Sequence, residues 1–353
     1  MIASLKASRP SANIKRPITL LTAFSGLGGV ETGALMSDLV TPLGSIEFDP
    51  RKPILSKEFG KIQELNYGRY GHTSHLITVQ EAAARNFDMV ERGSVYWYHG
   101  SPVCSNLSNV NTHSTGETEG DVSNVKSFST GIEAIAPEVV TVEQVAAFVY
   151  SEGAKILYRT LDDNGYLYQH RIVNMADYGI AQDRIRYWLL AWKADLKPWY
   201  FPTPTRRYGW YEACGDLPFR KLPSDRLLPG QEVAIEAHQY HFGEDSSTLL
   251  IERKAYHGGE HKIRTAFEVA PTIIRMMFTD RKPNDHNVLV NRWYFMDAMI
   301  RGEMKTLNLS HIRRICGFPD WFQYPDVPAI AGVGFGYAVS PEFVRLLALK
   351  NLG

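Results

Sequence analysis

Three groups of residues stand where an α/β chain puts its chemistry. Cys104 follows an apolar, aromatic run (residues 95–98) that Gly100 and Pro102 bring to a stop. A cysteine just past the carboxyl end of a buried strand is a candidate nucleophile, reactive as its thiolate. The alternative is a small buried hydrophobe, which most free cysteines are. Glu143 stands near the end of a second apolar run, residues 137–145. An unpaired carboxylate in a core is costly, so Glu143 reaches solvent or occupies a polar pocket beside Cys104, where it could share a proton with a reacting ring. Gln182, Arg184 and Arg186 lead into a third apolar run, residues 187–192, and strand alternation places all three on one face. They either keep an edge strand soluble or hold negative charge as it develops.

These groups need elements to hold them. Residues 18–24 read as a buried parallel strand, 25–29 (Ser-Gly-Leu-Gly-Gly) as a glycine turn, and 30–39 as a helix. Strand, glycine turn and helix bring main-chain N–H groups against a nucleotide-like ligand, although a tight βα turn has the same composition. Residues 43–48 form the next strand and end in Glu47-Phe48. An acid about 20 residues after the glycines suits a pair of ribose hydroxyls, Phe48 could stack on a purine, and the competing reading is a helix N-cap region. A short strand is expected near 76–79, helices over 127–136 and 148–163, and strands over 137–145, 166–173 and 187–192. The polar stretch 105–124 has almost nothing to bury and starts at Cys104, so it reads as a lid over the reacting centre.

At Pro198 the character changes. Residues 199–210 interleave aromatics with Arg206 and Arg207, a composition that fits phosphate contact and base stacking as well as a solvated surface. The chain therefore divides into a flexible tail (1–17), a catalytic domain (18–195), a smaller domain (196–310) and a segment that returns to the first domain (311–353). In that last segment a helix at 307–316 is stopped by Gly317 and Pro319, and a glycine-rich turn at 332–341 opens the final helix.

Composition narrows the partners. Lys plus Arg equals Asp plus Glu at 38 each, so any nucleic-acid surface must be local. Three widely spaced cysteines, without CxxC or paired histidines, argue for a reducing compartment and against a disulfide framework or a metal site. The basic, polar start lacks a signal-peptide core, and no stretch has the apolar length of a membrane helix. A cytoplasmic protein, without membrane or metal, is expected.

Taken together these segments resemble the DNA cytosine-5 methyltransferase family, in the family's order from Thr22 to Leu347. Phe24-Ser-Gly-Leu-Gly-Gly29 is similar to its cofactor turn and Glu47-Phe48 to its ribose-binding acid and aromatic neighbour. Gly100–Ser108 resembles its Pro-Pro-Cys segment, Glu143-Gln144-Val145 its Glu-Asn-Val, and Gln182-x-Arg184-x-Arg186 its paired arginines. Residues 307–321 end in the family's Gly-Phe-Pro-Asp, and 336–341 match its last turn. The sequence departs from the pattern at Val103, Ser105, Gln144, His75, Tyr337 and Ser340.

The resemblance implies a doubly wound, Rossmann-like sheet that binds S-adenosyl-L-methionine, with a second, smaller target-recognition domain. It implies transfer of the methyl group to C5 of a cytosine flipped out of double-stranded DNA, through a covalent bond from Cys104 to C6. Glu143 would hold N3 and the exocyclic amine, and Arg186, with Arg184, would hold O2. Phe24, Gly26, Leu27, Gly28, Gly29, Glu47, Phe48, Leu76, Val103, Ala338 and Val339 would line the cofactor. Ser105, Asn106, Ser108, Gln182, Arg206 and Arg207 would touch DNA, and the protein would act as a monomer. The same chemistry on a tRNA-type RNA, or a DNA-binding relative without turnover, are the other readings; retention of Cys104, Glu143 and Arg186 argues against the last.

Overall fold

The computed structural model describes residues 2–11, 18–103, 107, 116–221, 228–243, 247–255, 261–278 and 296–353. Cys104, Ser105, Asn106 and Ser108, with most of the expected lid, lie outside the described residues.

The first part of the chain runs α1 (Ile2–Leu5), β1 (Ile18–Ala23), α2 (Gly29–Ser37), β2 (Val40–Ile46), α3 (Pro53–Tyr67), β3 (Thr73–His75), α4 (Val79–Ala84), β4 (Trp97–Gly100) and α5 (Glu119–Ile135). It continues through β5 (Val139–Gln144), α6 (Glu152–Asp163), β6 (Tyr166–Asn174) and β7 (Ile185–Lys193). The strands form one seven-stranded sheet in the order β3-β2-β1-β4-β5-β7-β6. Only β7 runs against its neighbours, pairing antiparallel with both β5 and β6. β7 is therefore an inner strand, which removes the edge-strand reading of Arg184 and Arg186.

Strand alternation sorts the core into two layers. Leu21, Tyr98, Val140, Val142, Leu189 and Ala191 face one side with Val125, Phe128 and Leu157 of α5 and α6. Leu20, Trp97, Val139, Trp188 and Leu190 face the other with Val30, Ala34, Phe343 and Leu347. The second layer is closed by α11 (Pro341–Leu352) lying on α2, and the contact is tight. A Cβ on Gly33 would stand 2.3 Å from the carbonyl oxygen of Pro341, so only glycine allows this approach.

Beyond β7 come α7 (Trp210–Cys214), β8 (Arg220–Lys221), α8 (Pro229–Phe242), β9 (Thr248–Ala255), β10 (His261–Thr265), β11 (Asp297–Ile300) and β12 (Glu303–Thr306). The strands make a second sheet, antiparallel throughout, in the order β10-β9-β11-β12-β8. The chain returns through α9 (Leu309–Ile315) and α10 (Val333–Tyr337) to α11. Trp210, Leu250, Ala270 and Ala298 share a core with Ile312, Phe318 and Phe335 and with Leu27 and Leu35, so the small sheet is anchored on the returning segment.

Several elements differ from the sequence expectation, each for a local reason. The expected loose tail is docked over residues 2–11. Leu5 is fully buried, the Ser4 hydroxyl donates to Glu342 at 3.0 Å, and the Arg9 guanidinium lies 5.0 Å above the Trp321 ring. Residues 196–205 belong with the large sheet, because Trp199 and Phe201 are buried in its second layer. The strand expected at 76–79 is β3 at 73–75, followed by α4, whose start is set by a reciprocal hydrogen-bonded cap between Thr78 and Glu81. The end of the polar stretch, from Glu119, is helix α5, capped in the same way by Thr118 and Asp121. Among the described residues no helix is long and apolar enough to cross a membrane.

Candidate active site

Because β1, β2, β4 and β5 are parallel and β7 is antiparallel, their ends Ala23, Ile46, Gly100, Gln144 and Ile185 share one edge of the sheet. Glu143 and Arg186 meet at this edge. The Arg186 Nε lies 3.0 Å from Oε1 of Glu143, and both side chains are largely withdrawn from solvent, at 16% and 9% exposure. Arg186 Nη1 donates to the Ile185 carbonyl at 2.8 Å. Among the described residues Glu143 Oε2 and Arg186 Nη2 make no hydrogen bond. The buried pair is neutral overall and still offers one acceptor and one N–H side by side, which suits the polar rim of a pyrimidine.

The segment leading to Cys104 is held at the same edge. Ser101 N–H donates to the Ala23 carbonyl at 3.3 Å, and the side-chain amide of Gln144 donates to the Pro102 carbonyl. Asn124 donates to the Val103 carbonyl at 3.0 Å. Gln144, next in sequence to Glu143, thus ties the cysteine's approach to the strand that carries the carboxylate. Below it, Thr141 bonds Trp97 Nε1 at 2.7 Å and His99 Nδ1 at 2.8 Å, while His99 Nε2 reaches Ser101 Oγ at 3.1 Å. Burial holds His99 down to about 3, so it stays neutral and serves as a strut. The other two cysteines are buried. Burial pushes the Cys214 thiol far up and the Cys316 thiol to about 12, so neither supplies a thiolate near neutrality.

Gln182 and Arg184 are placed away from the position expected of them. Gln182 is almost fully buried, donating to Cys316 Sγ at 3.6 Å and accepting from Ile273 N–H at 2.8 Å. Arg184, equally buried, donates to the carbonyls of Ile273 (3.4 Å), Gly336 (3.3 Å) and Ala338 (3.1 Å). Burial, followed by the nearby Arg186 charge, lowers Arg184 to about 9. Both side chains fasten the returning segment to the sheet, and Arg186 alone of the three expected groups faces Glu143. Gln182 and Arg184 precede β7, so strand alternation does not govern them, and the chain that returns over this edge supplies their partners.

The side expected to hold a cofactor is built from main chain. Phe24, at φ 57°, and Gly26, at φ 54°, both take left-handed conformations. A Cβ on Gly26 would meet nothing within 4 Å, so this turn faces open space. Its N–H donates to Glu47 Oε2 at 2.9 Å, and burial raises the carboxyl of this half-buried residue to about 7. Phe48 beside it is half-buried. The neighbouring glycines have another purpose. At Gly28 a Cβ would lie 2.5 Å from the Tyr67 ring, and at Gly29 2.1 Å from the Val339 carbonyl oxygen. Leu27, Ala338 and Val339 are buried between these elements, and only Leu76 (42%) and Val103 (41%) of the remaining cofactor candidates are exposed.

The chain matches the description of C-5 cytosine-specific DNA methylases over residues 20–351. It belongs to the C-5 cytosine-specific DNA methylase family. It is 27% identical over 204 residues to the type II methyltransferase M.MthTI of Methanothermobacter thermautotrophicus, covering 56% of this chain and 59% of that protein. It is 23% identical over 197 residues to the tRNA (cytosine(38)-C(5))-methyltransferase of Bos taurus, covering 53% of this chain and 45% of that one. A solved structure assigned as a prophage-encoded DNA modification methyltransferase of E. coli superposes with a TM-score of 0.64 at 16% identity, covering 95% of this chain and 98% of that chain. At that identity the likeness shows the fold, a Rossmann-like sheet of the methyltransferase kind.

The two arginines expected to touch DNA are charge-paired here. Arg206 binds Glu212 and lies 4.0 Å above the Tyr208 ring, and Arg207 Nε sits 2.7 Å from Asp177 Oδ1. These exposed pairs are weak. Sequence reasoning passed over α3 entirely, although its Gln63 steadies the glycine turn through Gly26 O at 2.7 Å. The apolar spacing of residues 54–62 was the available signal.

Proposed function

We propose that this methyltransferase transfers a methyl group from S-adenosyl-L-methionine to C5 of a cytosine flipped out of duplex DNA. The observation that carries the reading is the buried Glu143–Arg186 pair, one strand away from the fixed Pro102-Val103 segment that leads into Cys104. The donor site is supported by a turn with open space at Gly26, a left-handed Phe24, and Glu47 at the end of β2 to take the ribose hydroxyls. Bound there, the donor supplies an electrophilic methyl group on a sulfonium sulfur.

The chain's own groups do the rest. The Cys104 thiolate adds to C6 and forms a C–S bond, while the C5–C6 π pair moves onto C5 and makes that carbon nucleophilic. Glu143 holds N3 and the exocyclic amine, sharing a proton with the ring. Arg186 donates to O2, where negative charge gathers; one such preorganised donor contributes about 3 kcal/mol. After transfer the C5 proton leaves to water, the C–S bond breaks, and its electron pair returns to Cys104.

The experiment is a duplex carrying 5-fluorocytosine, which cannot lose the C5 substituent as a proton. The expected result is a covalent adduct mapped to Cys104, and a Cys104→Ser protein that binds DNA without methylating it. Full activity of Cys104→Ser, or an adduct on Cys214 or Cys316, overturns the assignment. The tRNA methyltransferase relative favours one second reading, the same chemistry on tRNA. Labelled donor with duplex DNA and with tRNA separates the two: label in tRNA alone replaces the substrate and keeps the chemistry.

A further inference from the structure

The turn that ends α10 carries Tyr337, and two cations converge on it. Lys52 Nζ donates to the Tyr337 hydroxyl at 3.0 Å and lies 5.4 Å from the ring centre, and the Arg275 guanidinium lies 5.8 Å from the same ring. The acid beside them is shared: Asp49 takes Arg51 at 3.2 Å and Lys52 at 3.7 Å. Among the described residues Arg275 has no carboxylate partner and stands exposed. Tyr337 is 41% exposed, Arg275 is exposed and the Lys52 side chain keeps 30% of its surface open, so both cations can be reached by an anion.

The position of this cluster is fixed from both sides. Tyr337 lies between Gly336 and Ala338, whose carbonyls bind Arg184, two residues from Arg186. The next carbonyl, Val339, rests on Gly29 at the start of α2. Lys52 immediately precedes α3, five residues after Glu47, whose carboxylate binds the Gly26 N–H. Lys52 and Tyr337 thus join the segment after Glu47 to the segment before Val339, both of which touch the glycine turn, and Arg275 approaches the same ring. An ammonium and a guanidinium at this place attract a carboxylate.

We propose that Lys52 and Arg275, set by Tyr337, read a carboxylate of the adenosyl sulfonium donor. This rests on the donor assignment made above. The carboxylate has two possible sources: the amino-acid end of S-adenosylmethionine, or an additional carboxylate on the carbon to be transferred. Both present the same chemistry to the cluster.

Calorimetry on the full chain separates them without relying on turnover. The ligands are S-adenosylmethionine, its decarboxylated analogue, and an analogue with a carboxylate on the S-methyl carbon. The proteins are the parent and Lys52→Gln/Arg275→Gln, with equal melting temperatures as the check on folding. Expected is a tenfold or greater loss of affinity in the variant for carboxylated donors, with the decarboxylated donor unmoved. A loss already seen with S-adenosylmethionine assigns the amino-acid carboxylate; a loss confined to the S-carboxymethyl analogue assigns the transferred group. Equal affinities for every donor in parent and variant overturn the proposal, as does a variant defect in duplex DNA affinity alone. If no adenosyl compound binds the parent, the donor assignment falls and this inference with it. Tyr337→Phe, which keeps the ring and removes the hydroxyl that orients Lys52, is expected to lose less affinity than the double variant.

Discussion

The two halves of the sheet edge solve different problems by different means. On the β1–β2 side the working groups are main chain: left-handed Phe24 and Gly26, open space at the turn, and a single carboxylate, Glu47, on an N–H. On the β5–β7 side they are side chains, an ion pair withdrawn from water and an amide that holds a carbonyl. A ligand that must be approached closely calls for absent side chains, whereas a ring that must be polarised calls for charges held in place before it arrives. The difference predicts that substitutions on one side act through shape and on the other through charge.

The sharpest contrast lies within β7 and the residue before it. Arg186→Ala is expected to lower kcat on the order of 10²–10³-fold, since it removes a donor to developing charge, and also to lower the melting temperature, since Glu143 loses its buried partner. Arg184→Met should act on stability alone, costing about 3 kcal/mol by stranding three carbonyls, with the residual folded protein still active. Steady-state kinetics beside denaturant titrations read both, and a large kcat loss in Arg184→Met at unchanged stability would erase the distinction.

The glycine turn gives the next test. Gly29→Ala forces a Cβ to within 2.1 Å of the Val339 carbonyl and should unseat α11, costing several kcal/mol, of the order of the overpacking penalty of about 1–3 kcal/mol or more. Gly26→Ala meets nothing and pays only for its left-handed conformation, about 1 kcal/mol, while donor affinity drops. Thermal melts and donor titration on both variants check this. Equal stability losses would mean that the two glycines share one role.

The last test concerns pH. Glu31, buried in α2, accepts from the Thr22 hydroxyl, has no partner for Oε2, and is raised by burial to about 7. The folded state therefore keeps a proton that the unfolded chain has released above its ordinary value near 4.5. Stability is expected to fall as pH rises from about 4.5 to 7, by at most about 3 kcal/mol from this group. Glu47 acts in the same direction. In Glu31→Gln the slope of melting temperature against pH should flatten; an unchanged slope assigns it elsewhere.

Much of the large sheet was legible in the chain because buried parallel strands are continuous apolar runs, as at residues 18–23 and 139–144. The glycine turn was equally plain. Illegible were the elements set by distant partners. The docking of residues 2–11 depends on Trp321 and Glu342, far along the chain. The burial of Trp199 depends on Trp97, with ring centres 5.2 Å apart. The helix expected over 127–136 begins earlier, at Glu119, because the Thr118–Asp121 cap starts it inside the polar stretch expected as a lid.

By itself the sequence determined which long strands are buried, where glycine permits a left-handed turn, and that a carboxylate and a guanidinium, Glu143 and Arg186, stand at strand ends. Those are local matters of period, conformation and chemical kind. Only the tertiary structure decided that Arg186 faces Glu143 while Arg184 and Gln182 bind the returning chain. It also decided that Gly29 and Gly33 serve helix packing, and that Lys52 and Arg275 meet at Tyr337. Whether a charged side chain works on a ligand or on its own fold depends on which distant atoms satisfy it, and spacing along one strand carries no information about those atoms.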